Sequence, residues 1–275
     1  MIHPHTRHPG DVLVEMPDAD YRAADGLNWS RLKLLGDSPK FYAYRASHAR
    51  PDTPSMALGR AFHAAVLEPE HYATRWKVYS GARRGKAWEQ FHRLYADDYE
   101  IITEAEAAKI EKMAYAVSQH PEAATILAMT GLNERCVFWT ERGRRMKAKL
   151  DRACWMGDNR FVVDVKTTRS VDPREFAKAA DMYGYAGQME HYTTAIEQRL
   201  STEHGAFTPL ILAVENVEPF DVGIFRISPH VREMAARYRN RLLDRLELAE
   251  AQKRWPGRVP TMVDLDVPRW SDLRS

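Results

Sequence analysis

RFVVDVKTTR, residues 160–169, sets an acid and a base two positions apart in a run that is otherwise apolar. Side chains alternate along a strand, so Phe161, Val163 and Val165 share one face while Val162, Asp164 and Lys166 share the other. Such a strand belongs in an interior, where a charge is costly unless a partner compensates it. The stretch before it, KAKLDRACWMGDN (147–159), has the same design. Arg145, Lys147, Lys149 and Asp151 line one face and Met146, Ala148 and Leu150 the other, which predicts one core face and one polar face. A turn at MGDN makes the two strands a hairpin, letting Asp151 and Asp164 converge near one end of the sheet with Lys166 alongside.

Two adjacent carboxylates repel, and each is driven toward protonation unless a cation lies between them. A divalent metal is the simplest solution. Oxygen donors with one imidazole suit Mg²⁺ or Mn²⁺, hard cations that keep several waters and so accept phosphate oxygens readily. A lysine at the edge of such a site can hold or deprotonate an attacking water and stabilise charge on a phosphate.

The surrounding sequence supplies an α/β frame. Residues 1–26 show no clear periodicity and read as an N-terminal arm; residues 27–275 read as one domain with a C-terminal helix and a Pro-rich tail. In GLNWSRLKLLGDSPKFYAYR, Asn28 or Ser30 caps a short helix, Gly36 ends it and Pro39 opens the next. An apolar stripe of Met56, Leu58, Phe62, Ala65 and Val66 predicts a helix over 55–67. SGARRGKAWEQF reads as a basic loop leading into a helix from about Lys86 to Tyr95, and Thr103 with Glu106 forms a capping box for the next, which runs to about Ser118. Period two begins at residue 134 and gives a three-strand meander. Helical spacing returns from Pro173 to about Ile196, then strands at 209–216 and 222–228, a helix over about 230–253, and the tail, expected as an extended strap.

Composition narrows the class. A hydrophobic fraction of 44% with 28% charged residues is that of an ordinary globular chain. No apolar run approaches the roughly 20 residues of a membrane span and the first residues lack a secretory signal, so a cytoplasmic protein is expected. Cys136 and Cys154 are too few for a disulfide framework or a four-thiolate cluster and are expected in the core. The net charge of +2 hides two basic clusters, Arg83, Arg84 and Lys86, and Arg142, Arg144, Arg145, Lys147 and Lys149.

Asp151, twelve intervening residues and then Asp164-Val165-Lys166 resemble the core motif of the PD-(D/E)XK nucleases, in the RecB-like branch and nearest the exonuclease VIII (RecE) type of nuclease domain. LNWSRLKLLGDSPKFYAYR resembles the opening helix pair of that branch, GRAFHAAVLEP its metal-histidine helix, and QMEHY (188–192) its Q-x-x-x-Y helix. A lone D-x-K usually marks an exposed strand end; the weight lies in these elements occurring in the expected order. The proline of the family name is Leu150 here and the cysteine of the opening segment is Ser38, neither of which touches the metal shell.

The resemblance implies a PD-(D/E)XK restriction-endonuclease-like fold with a central mixed β-sheet flanked by helices. It implies that His63, Asp151, Asp164 and the Val165 carbonyl bind Mg²⁺ (Mn²⁺ substituting), and that Lys166 works on the nucleophile. Glu134 is the additional acid, Gln188 and Tyr192 contact the scissile region or DNA backbone, and Arg83, Arg84 and Lys86 meet DNA. It further implies a 5′-3′ exonuclease on linear double-stranded DNA in recombination, often prophage-encoded, a homotetramer, and a single-strand annealing protein as partner. An endonuclease or single-strand-specific nuclease on the same core, or a non-catalytic DNA-binding module, are the alternatives.

Overall fold

The computed structural model describes residues 8–48 and 53–265; residues 1–7 of the arm and 266–275 of the expected strap lie outside the described residues. A short 3-10 turn (Pro9–Asp11), strand β1 (Val14–Glu15) and helix α1 (Asp18–Ala23) come first, so the arm carries structure of its own. Then follow α2 (Trp29–Leu32), α3 (Pro39–Ser47), α4 (Pro54–Leu67), α5 (Pro69–Arg75), β2 (Trp76–Tyr79), α6 (Gly85–Tyr95), β3 (Glu100–Thr103), α7 (Glu104–Gln119) and α8 (Pro121–Ala128). The meander is β4 (Thr130–Glu141), β5 (Arg144–Met156) and β6 (Asn159–Thr168). The rest comprises α9 (Pro173–Tyr183), α10 (Tyr185–Leu200), β7 (Thr208–Glu215), β8 (Val222–Arg226) and α11 (Pro229–Ala251).

Local signals explain most boundaries. Asn28 caps α2 by accepting from the Arg31 amide, Ser38 caps α3, and Thr103 with Glu106 closes both halves of a capping box on α7. His120 ends α7 and caps α8 through its ring, turning an expected break into a second helix. The helix expected from Pro173 to Ile196 is two helices, because Gly184 adopts φ +72 between them, a left-handed conformation that stops α9 and redirects the chain.

The main sheet runs β1-β4-β5-β6-β7-β8, antiparallel except where β6 and β7 pair in parallel. A parallel pair needs a long crossover, and α9 and α10 supply it. β2 and β3 form a separate parallel pair. Both faces of the main sheet are covered. Met146, Ala148, Leu150 and Ile211 pack against Met189 and Ile196 of α10 and Leu242 and Leu246 of α11. Val163, Val165, Leu212 and Val214 pack against Phe62 of α4 and Ile110, Met113 and Val117 of α7.

The face of β5 expected to be polar is partly buried, with Lys147 only 6% exposed, and β6 is interior as its sequence implied. Val162, Val163 and Val165 have no exposure and Asp164 only 1%, so β6 is interior on both sides. In the second basic cluster Arg142 and Arg145 stay at the surface while Lys147 is buried, and several members are engaged by partners. Arg142 pairs with Asp244, Arg144 with Glu250, and the Lys147 ammonium is held by the carbonyls of Tyr21 and Ala24 at 2.8 and 2.5 Å. Cys136 and Cys154 are buried free thiols, as expected. The arm joins the sheet: β1 pairs with β4, and Val12 and Leu13 enter the core that α10 and α11 also line. Trp255 stacks on Tyr42 with ring centroids 5.8 Å apart, and Arg258 pairs with Asp37, fixing the first part of the tail against α3. Among the described residues no helix is long and apolar enough to cross a membrane.

Candidate active site

The site lies where the sheet forks. β4 and β5 pair Asn133 with Arg152 and Arg135 with Leu150, passing over Glu134 and Asp151 between them. Glu134 has φ +51, a left-handed backbone that the Cβ of a non-glycine residue resists. Alternation slips by one residue there on both strands. Leu132 faces the same core as Val137, and Leu150 the same core as Ala153. β5 meets β6 only from Arg152 and Val163 outward, so β6 continues from Asp164 paired with β7 alone. Asp151 turns into the opening, where its Oδ2 accepts the Val165 amide proton at 2.8 Å.

Helix α4 closes the fork with His63. His63 Nδ1 stands 3.5 Å from Asp151 Oδ2 and 4.0 Å from Glu134 Oε1, and one donor atom from each of these three residues lies within 4.8 Å of the others. Asp164 stands beside the trio. Its Oδ2 meets the Lys166 ammonium at 2.5 Å, while its Oδ1 accepts from Gln188 Nε2 at 3.0 Å. The same amide donates to the Tyr192 hydroxyl at 2.9 Å. On the far side Lys149 Nζ contacts Glu134 Oε2 at 2.8 Å and pairs with Asp18, which in turn receives Arg75 at 3.1 Å.

Burial governs the electrostatics. It pushes Glu134 up to about 7, helped by the Asp151 charge and opposed by Lys149, and it pushes Asp164 up to about 6 against the pull of Lys166. Asp151 is raised by the same desolvation. Desolvation and the Lys166 charge bring His63 down to about 4, leaving the ring neutral at physiological pH with a lone pair to give. For Lys166 burial acts downward, but the charges of Asp164 and Asp151 outweigh it and hold the amine protonated. Three interior carboxylates thus share a pocket that disfavours their ionised forms. A divalent cation reverses that balance.

The residues present fit such an ion. All donors are hard oxygens plus one imidazole, the set that suits Mg²⁺ or Mn²⁺. Asp164 Oδ2 is buried and receives no directional hydrogen bond, although the Lys166 ammonium approaches it. His63 also hydrogen-bonds the Val165 backbone, which brings that peptide to the trio.

Of the residues singled out from sequence, the fold brings together His63, Glu134, Asp151, Asp164, Val165, Lys166, Gln188 and Tyr192. Gln188 engages Asp164 itself and so orients a carboxylate, while Tyr192 accepts from Gln188 and holds its amide in place. The basic segment lies apart, at the start of α6. Arg83 is committed to Glu106 at 2.7 Å and to the Ile101 carbonyl at 3.0 Å, while Arg84 and Lys86 are exposed. Sequence reasoning missed Asp18, Lys149 as the partner of Glu134, and Tyr185, whose ring lies 5.3 Å from Lys166 Nζ. For Lys149 the signal was available, since it shares a face with Asp151; for Asp18 there was none.

Comparison with known proteins agrees with this geometry. The family described as "PDDEXK-like domain of unknown function (DUF3799)" matches residues 29–261. The chain belongs to that family. A crystallised protein of Eubacterium rectale, designated a candidate exonuclease, overlays 93% of this PDDEXK-like chain and 97% of its own at a TM-score of 0.61 with 11% identity, a likeness of fold. A second solved structure, of SSO0001, covers 78% of this chain and 84% of its own at 13% identity, with a TM-score of 0.29 that is too low for the folds to be equated. No curated protein matches the sequence significantly.

Proposed function

We propose that this PDDEXK-like chain is a metal-dependent deoxyribonuclease that hydrolyses phosphodiester bonds, acting as a 5′-3′ exonuclease on linear double-stranded DNA. The observation that carries the reading is the convergence of His63, Glu134 and Asp151 in a fork whose other side holds the Asp164–Lys166 pair. His63, Glu134, Asp151, Asp164 and the Val165 carbonyl would hold Mg²⁺, with Mn²⁺ substituting. Bound there, the ion supplies Lewis acidity at the scissile phosphate and acidifies water at neutral pH.

The chain's own residues do the rest. Lys166, kept protonated by its acidic neighbours, offers a positive charge and hydrogen-bond donors to the attacking oxygen and to the phosphate as its charge grows. Gln188, held in turn by Tyr192, fixes Asp164, and the Val165 amide fixes Asp151, so neither carboxylate has to reorganise as the reaction proceeds. Arg84 and Lys86 contact phosphates rather than base edges, giving weak sequence preference and binding that falls steeply with salt. The motif resemblance extends the proposal to recombination, to a homo-oligomer and to a single-strand annealing partner.

Linear and circular duplex DNA incubated with the protein in Mg²⁺ or in EDTA test the reading. Loss of the linear form alone, in metal alone, is the expected result. Nicking of circles in metal makes the chain an endonuclease, and retardation without cleavage makes it a binding module; either outcome overturns the exonuclease assignment.

A further inference from the structure

Gly59 stands in the interior of α4, where alanine is the better helix former and glycine carries a cost in backbone entropy. The same helix uses alanine at 57, 61, 64 and 65. Two other glycines have visible reasons: a Cβ on Gly187 would come within 2.2 Å of the Trp29 ring, and Gly184 needs its left-handed φ. Neither applies to Gly59, whose backbone is ordinary helix and where an added Cβ would meet nothing within 4 Å. Among the described residues nothing accounts for it.

Its position names the direction. Ser55, Gly59 and His63 are spaced four apart and share one face of α4. Ser55 lines a cleft of about 520 Å³ with Thr167, Thr168, Arg169 and Tyr185, and the Tyr185 ring lies 5.3 Å from Lys166 Nζ. His63, one turn beyond Gly59, belongs to the donor trio. A ligand that reaches from the hydroxyl-lined cleft beside Lys166 to His63 passes over Gly59. A chain of phosphates and sugars is long enough to do so, and close approach to a helix backbone is what glycine permits.

We infer that the substrate's sugar-phosphate backbone crosses α4 at Gly59, in contact with the helix main chain, and that glycine at this position provides the clearance. The inference rests on the nuclease reading above and specifies where the strand runs. It makes Gly59 a specificity-determining position: stability favours a side chain there and the substrate excludes one.

Gly59→Ala and Gly59→Leu in the full chain test this, since both residues favour helix. Three measurements apply: thermal melting, Mn²⁺ binding without DNA by electron paramagnetic resonance, and affinity for a short fluorescent duplex in a Lys166→Ala background. The Ala variant melts about 2 °C higher. Mn²⁺ binding is unchanged in both. Duplex affinity falls modestly for Ala and about tenfold or more for Leu, as intrusion into a filled contact requires. A Leu variant that binds duplex as its parent does overturns the crossing; so does loss of DNA binding accompanied by lower melting or lost Mn²⁺ binding, which marks a structural defect. If the Gly59 parent itself binds no duplex, the nuclease reading falls and the inference falls with it.

Discussion

Asp151 and Val165 are tied across the fork of the sheet by a 2.8 Å hydrogen bond from the Val165 amide to Asp151 Oδ2. One carboxylate therefore serves two ends: it satisfies the main chain of β6 where β5 has diverged, and it faces the His63 ring. The two uses separate by substitution. Asp151→Asn keeps an oxygen for the Val165 amide, so melting stays close to the parent, while loss of an anionic donor lowers DNA cleavage by more than about 100-fold, the scale at which even outer partners of a metal matter. Asp151→Ala loses both and melts lower. Equal activity of the Asn variant and the parent would remove Asp151 from the metal shell.

Lys166 is the only ammonium within ion-pair distance of Asp164 among the described contacts. Lys166→Met preserves the apolar stem and leaves Asp164 buried without its counter-charge, a costly arrangement. In EDTA this variant should melt below the parent, and Mg²⁺ should recover most of the loss by compensating the carboxylate. Cleavage falls by about 10² to 10⁴ with duplex affinity little changed, because the amine acts on the reacting phosphate. Melting curves with and without Mg²⁺, beside single-turnover rates, check both halves.

His191 gives a pH prediction away from the metal site. Arg239 Nε donates to His191 Nδ1 at 3.2 Å, so the ring proton sits on Nε2 and is given to the Lys147 carbonyl at 3.1 Å. Burial and the Arg239 charge bring this histidine down to about 3. The unfolded chain takes up the proton near its ordinary value of about 6.5. Below that pH the unfolded state binds more protons, so this stability is complete above about 6.5 and declines as pH falls toward 3, by up to about 1.4 kcal/mol per unit. Glu134 and Asp164, raised by burial, act in the opposite sense. Comparing His191→Gln with the parent isolates the histidine: urea unfolding between pH 7.5 and 5 should show a shallower decline in the variant, and parallel slopes would contradict the neutral ring.

How much of this was legible in the sequence depends on whether a residue's role was local. The capping box of α7, the MGDN turn and the span of α4 are set by neighbours within a few positions and stand where spacing puts them, but the stripe of α4 is displaced, with Met56 exposed and Ala61, Ala64 and Leu67 buried beside Phe62. β6 announced its interior location through Val162, Val163 and Val165. The slip at Glu134 and Asp151 was hidden, because a period-two pattern says nothing about where it fails. Asp18 was hidden for another reason: its partners Lys149 and Arg75 lie far along the chain, and α1 is too short to show periodicity. Arg83 looked like a free DNA contact because the sequence does not show that Glu106 reaches it.

Glu134 concentrates the conflict between folding and site. Its φ of +51 is one that asparagine tolerates better than glutamate, and its charge is disfavoured by burial and by Asp151. Strain of this kind at a cluster of donors is what a binding site stores. Glu134→Asn relieves the backbone and removes the charge, while Lys149 keeps Asp18 as a partner. In EDTA the variant should therefore melt above the parent by a few degrees, on the order of 1 kcal/mol. Adding Mn²⁺ should raise the melting temperature of the parent and that of the variant far less, since an ion that binds only the folded state stabilises in proportion to its affinity. A variant that melts lower than the parent in EDTA, yet gains as much from Mn²⁺, would mean that Glu134 supports the fold and leaves the ion to His63 and the aspartates.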